Sequence, residues 1–120
     1  MPISEPFELD GVTIGATEWS IPRNASYDIA QSQTDDGVYQ LWIDPLVAPM
    51  AKGDEFRIRI YEKVEATGGT KRVVFSATLS DAQAELFVTP MLILINGWDM
   101  TIQKIAGSDR AFDASVRKIA

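Results

Sequence analysis

The sequence predicts an all-β fold, an antiparallel β-sandwich or small barrel of about seven strands with an extended N-terminal arm. Several segments alternate apolar and polar residues with a period of two, and no segment has a convincing helical period. Turn signals rich in Gly and Asp separate these segments. A chain of 120 residues fits one domain, so we expect residues 1–10 to form the arm and residues 11–120 a single β domain.

The clearest predicted element is a hairpin over residues 55–79. Every second residue from Phe56 to Ile60 is apolar and the residues between them are basic, which predicts a strand with one buried face. Gly68 and Gly69 suit the positive backbone angles of a hairpin connection. The returning strand alternates again, and its residues expected to face inward are Val73, Phe75, Ala77 and Leu79.

Further strands are predicted on both sides of the hairpin. Residues 38–44 are apolar on nearly both faces, which predicts a central strand or one covered by a partner. Residues 91–95 predict a short buried strand, and Asn96-Gly97 then predicts a tight hairpin turn. The last two strands are expected at 98–106 and 112–119.

The remaining segments have weaker patterns. Residues 12–20 predict a strand that contains Gly15, and residues 21–34 predict an extended loop around Pro22. Residues 80–85 are compatible with one helical turn capped by Ser80.

The composition argues against an enzyme. The chain has neither histidine nor cysteine, which excludes Ser-His-Asp and Cys-His catalysis and His- or Cys-ligated metal sites. The adjacent acids Asp35-Asp36 precede Gly37 in a predicted turn, where Asp is favoured for backbone reasons. The spacing of Asp99, Asp109 and Asp113 does not match a calcium loop. We therefore predict no catalytic, cofactor-binding or metal-binding residue.

The charge distribution bears on partners. A formal net charge of −6 makes nucleic acid a poor partner, and the sequence shows neither a signal peptide nor an apolar run long enough to cross a membrane. The acidic residues of the first fifty positions, with Arg23 as the only base, are expected either to meet a basic surface or simply to aid solubility.

Eight residues are candidates for binding a protein partner. The arm contributes Ile3 and Phe7, and the proline-containing loop is flanked by Trp19 and Tyr27, whereas Trp42 and Trp98 are expected in the core. The hairpin presents a basic outer face, which is either a solvated surface or a docking site for the acidic first part of another copy. The residues of this basic face are Arg57, Arg59, Lys63 and Arg72.

Three stretches, from Asp36 to Asp44, Lys52 to Val64 and Gly97 to Gly107, together with residues 110–119, resemble small uncharacterised proteins from the structural-gene modules of tailed bacteriophages. The resemblance covers about residues 36–119. It implies a virion component without catalytic motifs, best matched by a capsid decoration or cement protein.

Such a protein would be made in the host bacterial cytoplasm and would bind the major capsid protein on the capsid surface. It would act as a homo-oligomer, with a trimer favoured by the resemblance. The alternatives are a head–tail or tail protein, and a carbohydrate-binding β-sandwich that uses exposed aromatic residues such as Trp19.

Overall fold

A computed structural model describes residues 3–119, which form two antiparallel sheets packed as a β-sandwich. The predicted all-β class is therefore confirmed. The described residues form ten strands, which are β1 (Ser4–Ile14), β2 (Trp19–Ser20), β3 (Ala25–Ser26), β4 (Gly37–Asp44), β5 (Glu55–Glu62), β6 (Arg72–Ser80), β7 (Phe87–Val88), β8 (Leu92–Leu94), β9 (Trp98–Ala106) and β10 (Arg110–Lys118).

The two sheets have five strands each. Sheet A has the order β1-β10-β4, with the short strands β7 and β8 both paired to the far side of β4. Sheet B has the order β3-β2-β9-β5-β6. Six long strands carry most of the pairing, and the other four are two or three residues long. The prediction of about seven strands includes the six long ones and β8, whereas β2, β3 and β7 have two residues each and are too short to show periodicity.

The core lies between the sheets and is built by the alternation that the sequence shows. Phe56, Ile58 and Ile60 of β5 point inward and are fully buried. Across the core, the rings of Phe56 and Phe112 meet edge-on with their centroids 4.8 Å apart. Burying a side chain of this size stabilises the fold by about 1.5–3 kcal/mol, so the core accounts for much of the stability.

The predicted hairpin is confirmed as β5 and β6, with one change of register. A bulge between Ile60 and Tyr61 shifts the pairing, so that Tyr61 lies opposite Val73 while Ile60 lies opposite Phe75. Val73 therefore shares the outer face with Tyr61 and is 43% exposed, although it was predicted to face inward. The bulge inserts one extra residue, Val74, and local alternation does not reveal it.

Two connections differ from the predictions. Asn96-Gly97 is not a hairpin turn, because β8 belongs to sheet A and β9 to sheet B. Gly97 has a positive φ of 72° and leads the chain from one sheet to the other. The helical turn expected over residues 80–85 is absent, since Ser80 ends β6 and Asp81 takes a left-handed φ of 58°.

Two predicted segments are also placed differently. Residues 4–10, expected as part of an arm, lie in β1, which pairs along β10 from Ser4 to Ile14. Residues 1–2 of the expected arm lie outside the described residues. The strand at 91–95 is not buried as a whole: Leu94 is buried in the core and Leu92 packs against it, whereas Met91, Ile93 and Ile95 are exposed.

Candidate functional site

The outer face of sheet A is the first candidate surface. Along β4, Tyr39, Leu41 and Ile43 are buried between the sheets, so the residues between them point outward. Trp42 pairs with Val88 of β7, and Val38 pairs with Ile93 of β8. Side chains directly opposite on paired strands share a face, and these four therefore lie together on the outside of the sandwich.

An exposed apolar strip runs along the free edge of sheet A. Ile93 is 72% exposed and Met91 61% exposed, both far above what a core residue shows. An edge strand with exposed apolar side chains is a site for association with another chain unless something covers it. We call this surface the apolar strip; its residues are Leu86, Val88, Met91, Ile93 and Ile95.

An acidic groove of about 300 Å³ lies on the same face of sheet A. Trp42 lines it, and the guanidinium of Arg117 stacks over the Trp42 ring at 3.9 Å from its centroid. The Trp42 indole N–H donates to Gln40 Oε1 at 3.0 Å. The carboxylates that line the groove are Glu5, Glu8, Asp10, Asp44 and Asp113.

The position of Trp42 corrects the sequence prediction. Trp42 was expected in the core, but it is half-buried on the outer face of sheet A. Trp98, the other tryptophan expected in the core, is fully buried there and donates its indole N–H to the Asp35 carbonyl at 3.0 Å. Both residues lie in apolar strand patterns, so the sequence alone does not distinguish them.

Like charges perturb one another in the groove. The pKa of Glu8 is raised because its carboxyl shares a hydrogen bond with the Glu5 carboxyl and is repelled by it. The pKa of Glu5 is lowered, chiefly because the Ser115 hydroxyl donates a hydrogen bond to its carboxylate. Asp113 Oδ1 accepts the backbone N–H of Gly11 at 2.7 Å. The groove thus concentrates negative charge in front of an aromatic ring.

On the outer face of sheet B, the predicted basic face is divided. Arg57 and Arg59 lie side by side on β5, both half-buried, and Arg57 Nη2 donates to Gln103 Oε1 at 2.9 Å. Arg72 pairs with Glu62. Glu62 is an odd number of residues from Arg57 and Arg59, so Glu62 and Arg72 belong to the opposite face of the sheet. Lys63 lies in the following loop, where its aliphatic carbons pack beside Gly97.

The aromatic candidates of the loop are held by the fold. Tyr27 stacks on Tyr61 with ring centroids 4.6 Å apart, and the Trp19 indole N–H donates to Asn24 Oδ1 at 3.1 Å. Ile3 directly precedes β1 and is 71% exposed. Phe7, within β1, packs edge-on against Trp98 with the ring centroids 6.2 Å apart. Among the candidate residues outside the hairpin, Ile3 is thus the most accessible.

A polar network that the sequence analysis did not anticipate lies under the loop of residues 21–34. Asp99 is fully buried, and its Oδ1 accepts the Ser20 hydroxyl at 2.7 Å. Burial raises the pKa of Asp99. Glu18 Oε2 accepts the hydroxyls of Tyr61 and Thr101, both at 2.6 Å. These bonds tie β2, β5 and β9 together, which gives the carboxylates a structural task.

The other carboxylates considered from sequence are dispersed. Asp109 pairs with Lys104 at 2.6 Å, while Asp99 and Asp113 lie in different sheets. Lys118 donates to Asp35 at 2.9 Å and lowers the pKa of that carboxyl. Within residues 3–119, no group of three or more acidic side chains has the geometry to hold a metal ion. The same residues include no helix able to span a membrane.

No family model matches the chain, and no curated protein matches it. Among solved structures, it is similar to the Eiger TNF from S. frugiperda, with 15% identity, a TM-score of 0.41, and coverage of 74% of this chain and 63% of that one. It is also similar to a xylan-binding domain from CBM 22, with 12% identity, a TM-score of 0.40, and coverage of 86% and 64%. The chain thus spans less than two thirds of either neighbour, and similarity at this level does not bear on function.

Proposed function

We propose that this protein is a non-enzymatic structural component of a bacteriophage virion, a capsid decoration or cement protein that binds the assembled head. The observation that carries the proposal is the apolar strip on the free edge of sheet A, because an exposed apolar edge fits a protein partner. The resemblance to phage structural-module proteins supplies the particular partner, which is the major capsid protein on the capsid surface.

The proposed mechanism is linkage between binding and assembly. A protein that binds the assembled shell and not its free subunits shifts the equilibrium toward the shell, by about 2.7 kcal/mol per site at a hundredfold excess over Kd. Many weak contacts spread over the shell add together. The apolar strip suits this role because its side chains are already exposed on and beside the edge strands β7 and β8.

The environment of the carboxylates supports a non-enzymatic role. Without histidine or cysteine, acid–base chemistry would fall to Asp and Glu. Of the two most buried acids, Asp54 is engaged by backbone N–H groups and Arg110, and Oδ1 of Asp99 accepts the Ser20 hydroxyl and the Met100 N–H, while Asp99 Oδ2 has no hydrogen-bond partner among the described residues. Such contacts hold turns and strands together.

The alternatives use other surfaces or other partners. A head–tail or tail protein would bind through the same strip, but its partner would be a tail component of the virion and not the capsid. A carbohydrate-binding module needs a free aromatic platform. Trp19 is half-buried, and the ring of Trp42 is covered by the Arg117 guanidinium, so this alternative has less support.

Cosedimentation with purified empty capsids tests the proposal. Replacing Ile93 by Lys places a charge in the centre of the strip, and we expect capsid occupancy to fall at least about tenfold, since burying an Ile is worth about 1.5–3 kcal/mol. Ile29→Lys is the matched control, because Ile29 is 62% exposed and lies beside Asp28, which Lys71 contacts on the sheet B side of the molecule. Equal occupancy for the wild type and the Ile93→Lys variant would refute the role of the strip. Binding to tails but not to heads would favour the tail alternative.

A further inference from the structure

The carboxylates of the acidic groove form no ion pair with the other described residues. Five carboxylates line it against the single guanidinium of Arg117. The ion pairs within residues 3–119 join Lys104 to Asp109, Arg110 to Asp54 and Lys118 to Asp35, and none of them involves a groove carboxylate. An added cation would therefore relieve repulsion between these carboxylates.

The groove already shows which kind of cation it accommodates. Arg117 Cζ lies over the Trp42 ring at 3.9 Å from its centroid, which is a cation–π contact. A second guanidinium approaching from outside would find carboxylates placed for charge-assisted hydrogen bonds. Arginine also suits such a site better than lysine, because its planar head presents five donors in a fixed arrangement.

The chain itself carries a matching surface on the opposite sheet. Arg57 and Arg59 are two residues apart on β5, so they share one face at a spacing of about 7 Å. Neither forms an ion pair in the described part of the chain, and the Nε atom of each is buried without a hydrogen-bond partner. The exposed side chains of Val73 and Val74 lie at the adjacent edge strand and add apolar area.

We propose that the acidic groove of one copy binds the Arg57 and Arg59 face of a second copy. The two surfaces differ and lie on opposite sheets, so the contact is heterologous. Each copy carries both halves, and association therefore continues beyond a dimer until a ring closes, of which the trimer expected from the resemblance is one example. The groove shares Leu86 with the apolar strip, but its lining does not include Met91, Ile93 or Ile95, and the contact stands without the proposed capsid binding.

Sedimentation velocity on two neutralised variants tests the contact. Arg57→Gln/Arg59→Gln keeps the groove and loses the arginine face, whereas Glu8→Gln/Asp10→Asn keeps the arginine face and weakens the groove. We expect the wild type to associate beyond a dimer and each variant alone to be monomeric. An equimolar mixture retains one productive contact, so it should form a 1:1 dimer of two 13.2 kDa chains.

Sedimentation velocity is also measured on two control variants. Lys52→Gln and Asp36→Asn neutralise exposed charges away from both surfaces and should associate like the wild type. Thermal unfolding of each variant checks its fold. If a double variant does not fold, the single variant Arg59→Gln or Glu8→Gln is measured in its place. A monomeric wild type, variants that associate as the wild type does, or a mixture that stays monomeric would each overturn the inference. Capsid cosedimentation of the same variants reports separately on the proposed function.

Discussion

The Asp54 side chain joins the turn before β5 to the connection between β9 and β10. It is 4% exposed, and its carboxylate accepts the backbone N–H groups of Ala51 at 2.9 Å and Ser108 at 3.0 Å. Arg110 Nε donates to it at 2.8 Å. These bonds lower the pKa of Asp54 to about 2, with the backbone donors as the main cause and Arg110 adding to them. The turn before β5 and the connection before β10 thus depend on one ionised group.

The lowered pKa of Asp54 gives an acid-dependent stability. Because the folded-state pKa lies below the ordinary value of 3.8, the contribution is complete above that value and is lost as the pH falls toward about 2. Asp54→Asn removes the titrating group. We expect its free energy of unfolding to be lower than that of the wild type at pH 7, with a gap that narrows below about pH 4. Urea unfolding at a series of pH values measures the gap, and a constant gap would contradict this account.

Gly107 packs against the same aspartate and leaves no space for a side chain. A Cβ atom there would lie 2.7 Å from the Cα of Asp54 and closer still to its Oδ1, and the backbone has a φ of +88°. Gly107→Ala therefore adds a steric clash to the cost of about 1–2 kcal/mol for a left-handed non-glycine residue.

Gly53→Ala is the matched control for this substitution. Gly53 has a φ of +93°, and a Cβ atom added there would meet no atom within 4 Å, so only the backbone cost applies. In urea unfolding, we expect Gly107→Ala to lose clearly more stability than Gly53→Ala. Equal losses would show that the packing against Asp54 has no energetic weight.

At the scale of elements, the loop that follows β3, residues 27–34, is held against sheet B by a buried cation as well as by backbone hydrogen bonds such as those between Gln33 and Trp98. Lys71 donates to the carbonyls of Asp28 at 3.3 Å and of Gln31, and its ammonium lies 4.8 Å from the centre of the Tyr27 ring. Burial lowers the pKa of Lys71. Hydrogen bonds to a charged donor are worth about 1.5–3 kcal/mol, so Lys71 is expected to be the main restraint on this loop.

Lys71→Gln should release the loop without unfolding the sandwich. The backbone N–H of Gln33 donates to the Trp98 carbonyl at 2.7 Å, and its hydrogen exchange reports on the opening of the loop. We expect that exchange to become at least about tenfold faster, while β5 keeps its protection. Lys52→Gln serves as the control, and unchanged exchange over residues 27–33 in Lys71→Gln would argue against the restraint.

The elements that the sequence predicts well are those whose pattern is local. The alternation of residues 55–62 and 38–44 identifies β5 and β4 because each strand has one face between the sheets. The hairpin turn predicted at Asn96-Gly97 was wrong, because the positive φ of Gly97 that suits a tight hairpin also occurs where the chain crosses from one sheet to the other. Which sheet a strand joins depends on partners distant in the chain, such as β4 for β8.

The candidate surfaces were harder to predict for the same reason. The sequence identified Arg57 and Arg59 as an outward basic pair because they alternate with core residues. It did not identify the groove, whose acidic residues come from β1, β4 and β10 and meet only through strand pairing. The exposure of Met91 and Ile93 likewise depends on β8 being an edge strand, whereas their apolar character suggested burial.

At the scale of the whole molecule, a rigid sandwich presents three chemically different surfaces. The apolar strip, the acidic groove and the Arg57–Arg59 pair lie on strands whose inner residues fill one core. In our account, binding through these surfaces is the function, and the core serves to hold them in place. The strip is proposed to meet the capsid, and the two charged surfaces are proposed to meet each other.

Hydrogen exchange of the wild-type protein, free and bound to purified empty capsids, tests the role of the strip most directly. We expect the amides of residues 86–95 to gain protection on binding, while those of residues 27–31, on the sheet B side of the molecule, remain unchanged. Binding that leaves residues 86–95 unprotected, or that protects only residues 27–31, would contradict the account.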